Sequence, residues 1–194
     1  MRLNELYRIK KLYFGHEELA KALAITPASA RVAASRYVKQ GLLVRVKRNL
    51  YMLREAWKNS SKEEKFQIAN MGQVPSYISL MTALDYYEIT TQMQRDFFES
   101  IAVKRTKEIQ ISQTIFKYTK ISKDLYSGFR KEKNFFIATP EKALLDACYL
   151  MSFGRYSLDL SAIDAGKLDL EQLSVMSECF PLRTRRLMRE NEYL

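Results

Sequence analysis

A group of basic and hydroxyl side chains near the N-terminus has the chemistry needed to bind DNA. A guanidinium group such as that of Arg31 or Arg36 can donate two parallel hydrogen bonds to guanine O6 and N7 in the major groove. A serine hydroxyl such as that of Ser29 or Ser35 can donate to phosphates or to base edges. All four residues lie within residues 27–40, a stretch that must therefore present them on one side.

A second basic group follows in the stretch "GLLVRVKRNLYML" from Gly41 to Leu53. Cations that contact phosphates set the affinity and the register of a protein on DNA but carry no sequence information. We expect this role for Lys39 at the end of the preceding stretch and for the basic residues around Asn49. The predicted DNA-binding residues are Ser29, Arg31, Ser35, Arg36, Lys39, Arg45, Lys47, Arg48 and Asn49.

The elements that would position these residues can be predicted from local patterns. Apolar spacing predicts a helix over 3–13 and a second helix from His16. A third helix over 27–40 has Thr26 as its N-cap, Pro27 at its first position and Gly41 as its stop. Two short alternating runs after Gly41 predict a hairpin. Three helices followed by a basic hairpin predict a winged helix-turn-helix DNA-binding domain over residues 1–58.

The charge distribution supports that assignment. The chain has 194 residues and a net charge of +10. Residues 1–58 contain 13 Lys and Arg against 4 Asp and Glu, whereas residues 59–180 contain 15 against 16. A basic segment joined to a neutral one is the charge distribution expected of a nucleic-acid-binding domain attached to a domain with another role.

The sequence pattern of residues 59–194 predicts a second domain of mixed helix and strand. The predicted fold class is therefore α+β. Apolar spacing in "SYISLMTALDYYEIT" predicts a helix that faces a core, and residues 97–103 and 109–121 read as strands. In "IATPEKALLDACYLM" a helix is expected to begin with Thr139 as its cap and Pro140 at its first position. The remainder reads as helical.

The order of these segments resembles the AbiEi family of antitoxins from type IV toxin–antitoxin (abortive infection) systems, and "TPEKALLD" is the most specific part. The resemblance implies a repressor that binds inverted repeats in the promoter of its own operon. It also implies that the C-terminal domain counteracts a nucleotidyltransferase-like toxin. The resemblance leaves open whether the domain contacts the toxin directly. The family often has glycine in the wing turn where this chain has Asn49, and asparagine tolerates the left-handed conformation better than most residues.

The sequence favours a protein that is not an enzyme and needs no cofactor or metal. It has one histidine, and its two cysteines lack the spacing of a zinc site. No phosphate-binding glycine loop or hydrolase motif is present. Glu141 suits the first turn of its helix, and Lys142 and Asp146 form an i, i+4 pair, so we expect structural roles there. No apolar run is long enough to span a membrane, and a cytoplasmic location is expected.

Two other functions also fit the sequence. The protein could be a winged-helix transcription factor whose C-terminal domain senses a small ligand, or a protein-interaction module with weak, nonspecific DNA binding. Specific operator binding usually needs two copies of a winged helix, so we expect a dimer on DNA. The sequence does not indicate whether the protein also dimerises in solution. The C-terminal stretch "PLRTRRLMRENEYL" could be a solvated terminal helix or an additional cationic surface.

Overall fold

The protein is an α+β protein, described by a computed structural model over residues 3–92 and 94–194. These residues form nine α-helices, a two-stranded sheet and a six-stranded sheet. The chain divides into two compact units, one up to Ile68 and the other from Ala69 to Leu194. The division falls ten residues after the boundary expected at residue 58.

The first unit contains short helices and one hairpin. Its elements are α1 (Leu3–Leu6), α2 (His16–Leu23), α3 (Pro27–Lys39), β1 (Leu43–Lys47), β2 (Leu50–Leu53), α4 (Arg54–Lys58) and the start of α5 (Lys62–Gly72).

The predicted helix over 3–13 is wrong beyond Leu6. Phe14 forms an isolated antiparallel bridge with Tyr51, in which each backbone N–H donates to the other residue's carbonyl at 2.9 Å. The chain must be extended at Phe14 to make these two bonds, so the helical spacing upstream cannot continue.

Helix α3 begins where the sequence predicts and ends at Lys39, one residue before the predicted end. The Thr26 side chain accepts a hydrogen bond from the Ser29 N–H at 3.2 Å, and Pro27 occupies the first helical position. Gly41, two residues after Lys39, has a φ of 72°, a left-handed conformation that glycine adopts without strain. One face of α3 packs against α2, and the core of this part of the unit consists of Leu6, Phe14, Leu19, Ala20, Leu23, Ala30, Ala33, Ala34, Tyr37, Leu43 and Tyr51.

The hairpin turns at Arg48 and Asn49. Arg45 lies opposite Tyr51, and Lys47 lies opposite Leu50, with an irregularity in the register between them. Asn49 has a φ of 58°, so it takes the left-handed conformation that the turn requires. The alternation of the strand leaves Arg45 exposed while its neighbours Val44 and Val46 are buried.

The second unit is built on the six-stranded sheet, whose order is β5-β6-β4-β3-β8-β7. The β3–β8 and β4–β6 pairs are parallel, and the other three pairs are antiparallel. Its strands are β3 (Ser76–Ile78), β4 (Phe97–Ala102), β5 (Lys107–Ile111), β6 (Thr114–Lys120), β7 (Phe129–Glu132) and β8 (Phe135–Ala138). Its helices are α6 (Leu80–Tyr86), α7 (Pro140–Ser152), α8 (Leu170–Ser177) and α9 (Leu182–Glu190), with 3-10 turns at Lys123–Leu125, Leu160–Ala162 and Ala165–Lys167.

The predicted strand over 109–121 is two strands rather than one. Ser112 has a φ of 56° and breaks the run, so that β5 folds back on β6. The inward-facing positions of β5 include Ile109 and Ile111, whereas those of β6 include Phe116 and Tyr118, so the alternation changes from odd to even positions at the turn. No helix in the described residues is both long and apolar enough to cross a membrane.

Candidate functional site

The outer face of α3 carries the residues that the sequence predicts for DNA binding. Ala30, Ala33, Ala34 and Tyr37 are buried on the inner face. The remaining positions face solvent: Ser29, Arg31, Val32, Ser35, Arg36 and Lys39 are exposed. The helix thus presents three cations and two hydroxyl groups on an accessible surface.

Two of these residues have local contacts that limit their freedom. The Thr26 hydroxyl donates to Ser29 Oγ at 3.0 Å, so Ser29 belongs to the cap of α3. The Arg36 guanidinium lies 5.4 Å from the centre of the Tyr37 ring, a cation–π distance that keeps the arginine close to the helix surface.

Asn49 has a structural contact that the sequence did not predict. Its Oδ1 accepts a hydrogen bond of 2.7 Å from the backbone N–H of His16, the first residue of α2. A Cβ placed on Gly15 would lie 3.2 Å from the same oxygen, so glycine permits this close approach. Asn49 therefore ties the tip of the hairpin to the start of α2.

His16 makes a second contact with the hairpin. Its Nε2 lies 3.1 Å from the Tyr51 hydroxyl, and the two rings are tilted with their centres 5.4 Å apart. Burial, and then the positive charges of Arg31, Arg45 and Arg48, lower the pKa of the imidazole. The positive charges of all three arginines therefore act on the His16 imidazole.

A concave pocket of about 430 Å³ lies where these groups meet. Helix α3 contributes Arg31 and Ser35 to its lining, and the hairpin contributes Arg45, Arg48 and Asn49. His16 and Tyr51 complete the lining. Five of the nine predicted DNA-binding residues are thus brought together, although up to 18 positions separate them in the sequence.

The other four predicted residues lie outside this pocket. Ser29, Arg36 and Lys39 are on the exposed face of α3, and Lys47 is partly buried in β1. Across residues 3–92 and 94–194, no carboxylate forms an ion pair with Arg31, Arg45 or Arg48. The pocket therefore carries uncompensated positive charge.

Sequence reasoning missed three residues of this surface. The sequence places His16 at the start of a helix and Tyr51 in the hairpin, and nothing in the local pattern pairs α2 with the hairpin. Val32 was overlooked, although its side chain is 71% exposed in the middle of the basic face of α3. An apolar residue at a solvent-facing position of an otherwise polar helix face was the available signal for Val32.

The carboxylates of the "TPEKALLD" segment are buried and hydrogen-bonded. Asp146 is fully buried and accepts bonds from Lys142 Nζ at 2.5 Å, Ser79 Oγ at 2.8 Å and the Tyr77 hydroxyl at 3.0 Å. Lys142 also donates to the Leu125 carbonyl at 2.8 Å. Burial raises the pKa of Asp146, and these donors oppose that effect. The arrangement joins α7 to β3 and to the turn at Lys123–Leu125.

Two further carboxylates of the second unit have structural partners as well. Glu141 Oε1 accepts from the Asp169 N–H at 3.2 Å, which fixes the start of α8. Glu99 is 2% exposed, and the Tyr156 hydroxyl donates to its Oε2 at 2.7 Å. Burial raises the pKa of Glu99.

The comparisons with known proteins show the fold alone. The sequence matches no family model and no curated protein. The structure is similar to the crystal structure of the RV2827C protein from Mycobacterium tuberculosis, with a TM-score of 0.62 at 10% sequence identity. The similarity covers 98% of this chain and 75% of that chain, so it extends over both units.

Proposed function

We propose that the protein binds double-stranded DNA through its first unit, used as a winged helix-turn-helix, and represses transcription of its own operon. The observation that carries this proposal is the basic pocket that α3 and the β1–β2 hairpin line together. Its arginines at positions 31, 45 and 48 have no carboxylate partner among the described residues. A surface of this kind attracts the phosphate backbone of DNA.

The arrangement supports a division of roles along the surface. Helix α3 would enter the major groove, where Arg36 can pair with a guanine and Val32 can contact a thymine methyl group. The hairpin would act as the wing and lie over the backbone, with Lys47 and Arg48 near phosphates. Two copies on an inverted repeat would provide the extent of contact that specific binding needs.

The second part of the proposal concerns the unit from Ala69 to Leu194. We propose that it counteracts a nucleotidyltransferase-like toxin in the cytoplasm, without catalysis and without a cofactor. The support for this role is the resemblance of the segment order and of "TPEKALLD" to the AbiEi antitoxins. The buried, hydrogen-bonded state of Asp146 is compatible with a helix that stabilises the fold rather than one that performs chemistry.

A mobility-shift titration tests the DNA-binding proposal. The full-length protein is titrated against the DNA upstream of its own gene, with an unrelated duplex as competitor, at two salt concentrations. We expect saturable shifts that resist the competitor. Binding that ignores sequence and disappears at the higher salt would reduce the protein to a nonspecific basic surface and refute the repressor function.

Two variants separate the proposed roles. Arg48→Ala should weaken binding to all duplexes and lower the slope of log K against log salt by about 1, because one phosphate contact is lost. Arg36→Ala should relax the preference at one base pair, at a cost of about 1–3 kcal/mol for the cognate site only. Arg130→Ala removes a cation of the second unit that is paired with Glu132, and it is expected to change neither quantity.

The antitoxin proposal has its own test. The protein is co-expressed with the product of the neighbouring gene, and growth is measured with the wild type and with the Arg36→Ala/Arg48→Ala double variant. We expect both to restore growth, while only the wild type represses a reporter under the native promoter. Failure of the wild type to restore growth would refute the antitoxin role. The repressor function would then be decided by the mobility-shift titration alone.

A further inference from the structure

The pocket at His16 combines features that point to a specific anion rather than to diffuse attraction. Three arginines line it from two different elements, Arg31 from α3 and Arg45 and Arg48 from the hairpin. The Ser35 hydroxyl adds a neutral donor to the lining. Guanidinium groups match the oxygens of a phosphate in geometry as well as in charge, because their donors lie in a planar fork.

We propose that this pocket binds the oxyanion of a phosphate group, between α3 and the hairpin, and that His16 takes up a proton when the phosphate binds. The proposal rests on the DNA-binding function for the source of the phosphate, which would be one backbone position of the duplex. A free phosphate or phosphomonoester presents the same chemistry and is the other source that the experiment distinguishes.

The electrostatics of the pocket explain the proton uptake. In the free protein Arg31, Arg45 and Arg48 face the imidazole and disfavour its charged form. The first turn of α2 also carries Glu17 and Glu18. Glu18 accepts from the Gly15 N–H at 3.0 Å and from Lys11 Nζ at 2.8 Å, and the charges that shift the pKa of the imidazole are those of the three arginines. A phosphate among the arginines would offset their charge and favour the imidazolium. The pKa of His16 should therefore rise on binding.

The proton has a defined place in the site. It comes from solvent and adds to the ring nitrogen that carries a lone pair in the neutral imidazole. Both ring nitrogens are then donors, and Nε2 can keep its contact with the Tyr51 hydroxyl. The start of α2 is not itself the ligand, because the His16 N–H already donates to Asn49 Oδ1.

This mechanism assigns Arg31 a role that differs from the one predicted from its sequence position. A side chain that lines a pocket with two hairpin arginines is placed for a backbone phosphate rather than for a guanine edge. Binding would then fix the angle between α3 and the hairpin, since the same anion contacts both elements.

The chain's single histidine makes the proposal directly measurable. The imidazole C–H resonances of the full-length protein are followed by NMR from pH 5 to pH 8 in three conditions at matched ionic strength: chloride, inorganic phosphate, and saturating upstream duplex. We expect a pKa for His16 below 6.5 in chloride. We expect this pKa to rise with the duplex, and to rise less with inorganic phosphate.

A binding measurement provides the second readout. The dissociation constant for the upstream duplex is measured at pH 6 and pH 8. Uptake of one proton strengthens binding by at most about tenfold per unit fall in pH between the free and bound pKa values. His16→Gln should lose this dependence, while Lys21→Gln, at an exposed position in the last turn of α2, should retain it. Circular dichroism confirms that both variants are folded.

The outcomes separate this inference from the proposed function. If the duplex binds specifically and the pKa of His16 does not change, the pocket is not the phosphate site and the repressor function is unaffected. If no duplex binds specifically but inorganic phosphate raises the pKa of His16, the pocket holds a free phosphate and the DNA-binding proposal fails. A pKa that responds to neither ligand overturns the inference whatever the DNA result.

Discussion

An Asp146→Ala substitution would leave the Lys142 ammonium group without its counter-charge at a position where 1% of the lysine side chain is exposed. Removing one partner of a buried ion pair typically costs about 3–5 kcal/mol, because the other charge stays buried. The Tyr77 and Ser79 hydroxyls would also lose their acceptor, which adds roughly 1 kcal/mol. We expect a loss of about 4–6 kcal/mol, comparable to the whole stability of many domains.

The measurement is urea unfolding followed by far-UV circular dichroism. The single tryptophan, Trp57, lies in the first unit, so its fluorescence follows that unit separately. The matched control is Glu190→Ala, which breaks the Arg186–Glu190 pair at the same i, i+4 spacing. Those side chains are 82% and 55% exposed, so the control should lose no more than about 0.5 kcal/mol.

A double variant tests the reason for the loss. Lys142→Met/Asp146→Asn removes both charges and keeps similar volumes, so no charge is left unpaired in the core. It should recover at least half of the stability that Asp146→Ala loses. A loss of less than about 1 kcal/mol for Asp146→Ala would contradict the structural role expected for the buried network.

Two further predictions concern the first unit. Asn49→Gly keeps the left-handed turn but removes the 2.7 Å hydrogen bond from the His16 N–H, so we expect the free energy of unfolding, monitored by Trp57 fluorescence, to fall by about 1 kcal/mol. Asn49→Val should lose more, because a β-branched residue is also strained at a positive φ. Equal losses for the two variants would refute a role for the left-handed conformation. Hydrogen bonds from Lys11 and the Gly15 N–H lower the pKa of Glu18 to about 2. The ionised Glu18 therefore contributes to the free energy of unfolding above pH 4.5, and this contribution is lost as the pH falls towards 2. Because the Lys11–Glu18 pair is exposed, this contribution is much smaller than the shift in pKa alone would give. Glu18→Gln should be as stable as the wild type at pH 2 and less stable at pH 6.

Helix starts were predictable from the sequence because their signals are local. Thr26 caps α3 and Thr139 caps α7, each followed by a proline at the first helical position. Ser61 forms a reciprocal cap with Glu64 at the start of α5. In each case the residues that specify the helix end lie within three positions of one another, so no tertiary contact is needed to read them.

The elements that were missed depend on distant partners. β3 has only three residues and exists because it lies between β4 and β8. Helix α1 ends early because Phe14 pairs with Tyr51, far along the chain. The pocket depends on contacts of the same kind, since His16 meets Asn49 at a separation of 33 residues and Tyr51 at 35. Local spacing carries no information about such pairs.

The side chains of "TPEKALLD" suggest how far the family resemblance can be taken. Thr139 caps α7, Glu141 anchors the start of α8, and Lys142 and Asp146 form the buried pair. Each of these polar side chains has a contact inside the second unit, so the segment is suited to specifying a fold. If the second unit counteracts a toxin, the residues that do so must then be sought on its exposed surface. Substitutions within "TPEKALLD" should reduce antitoxin activity only in proportion to the stability that they remove.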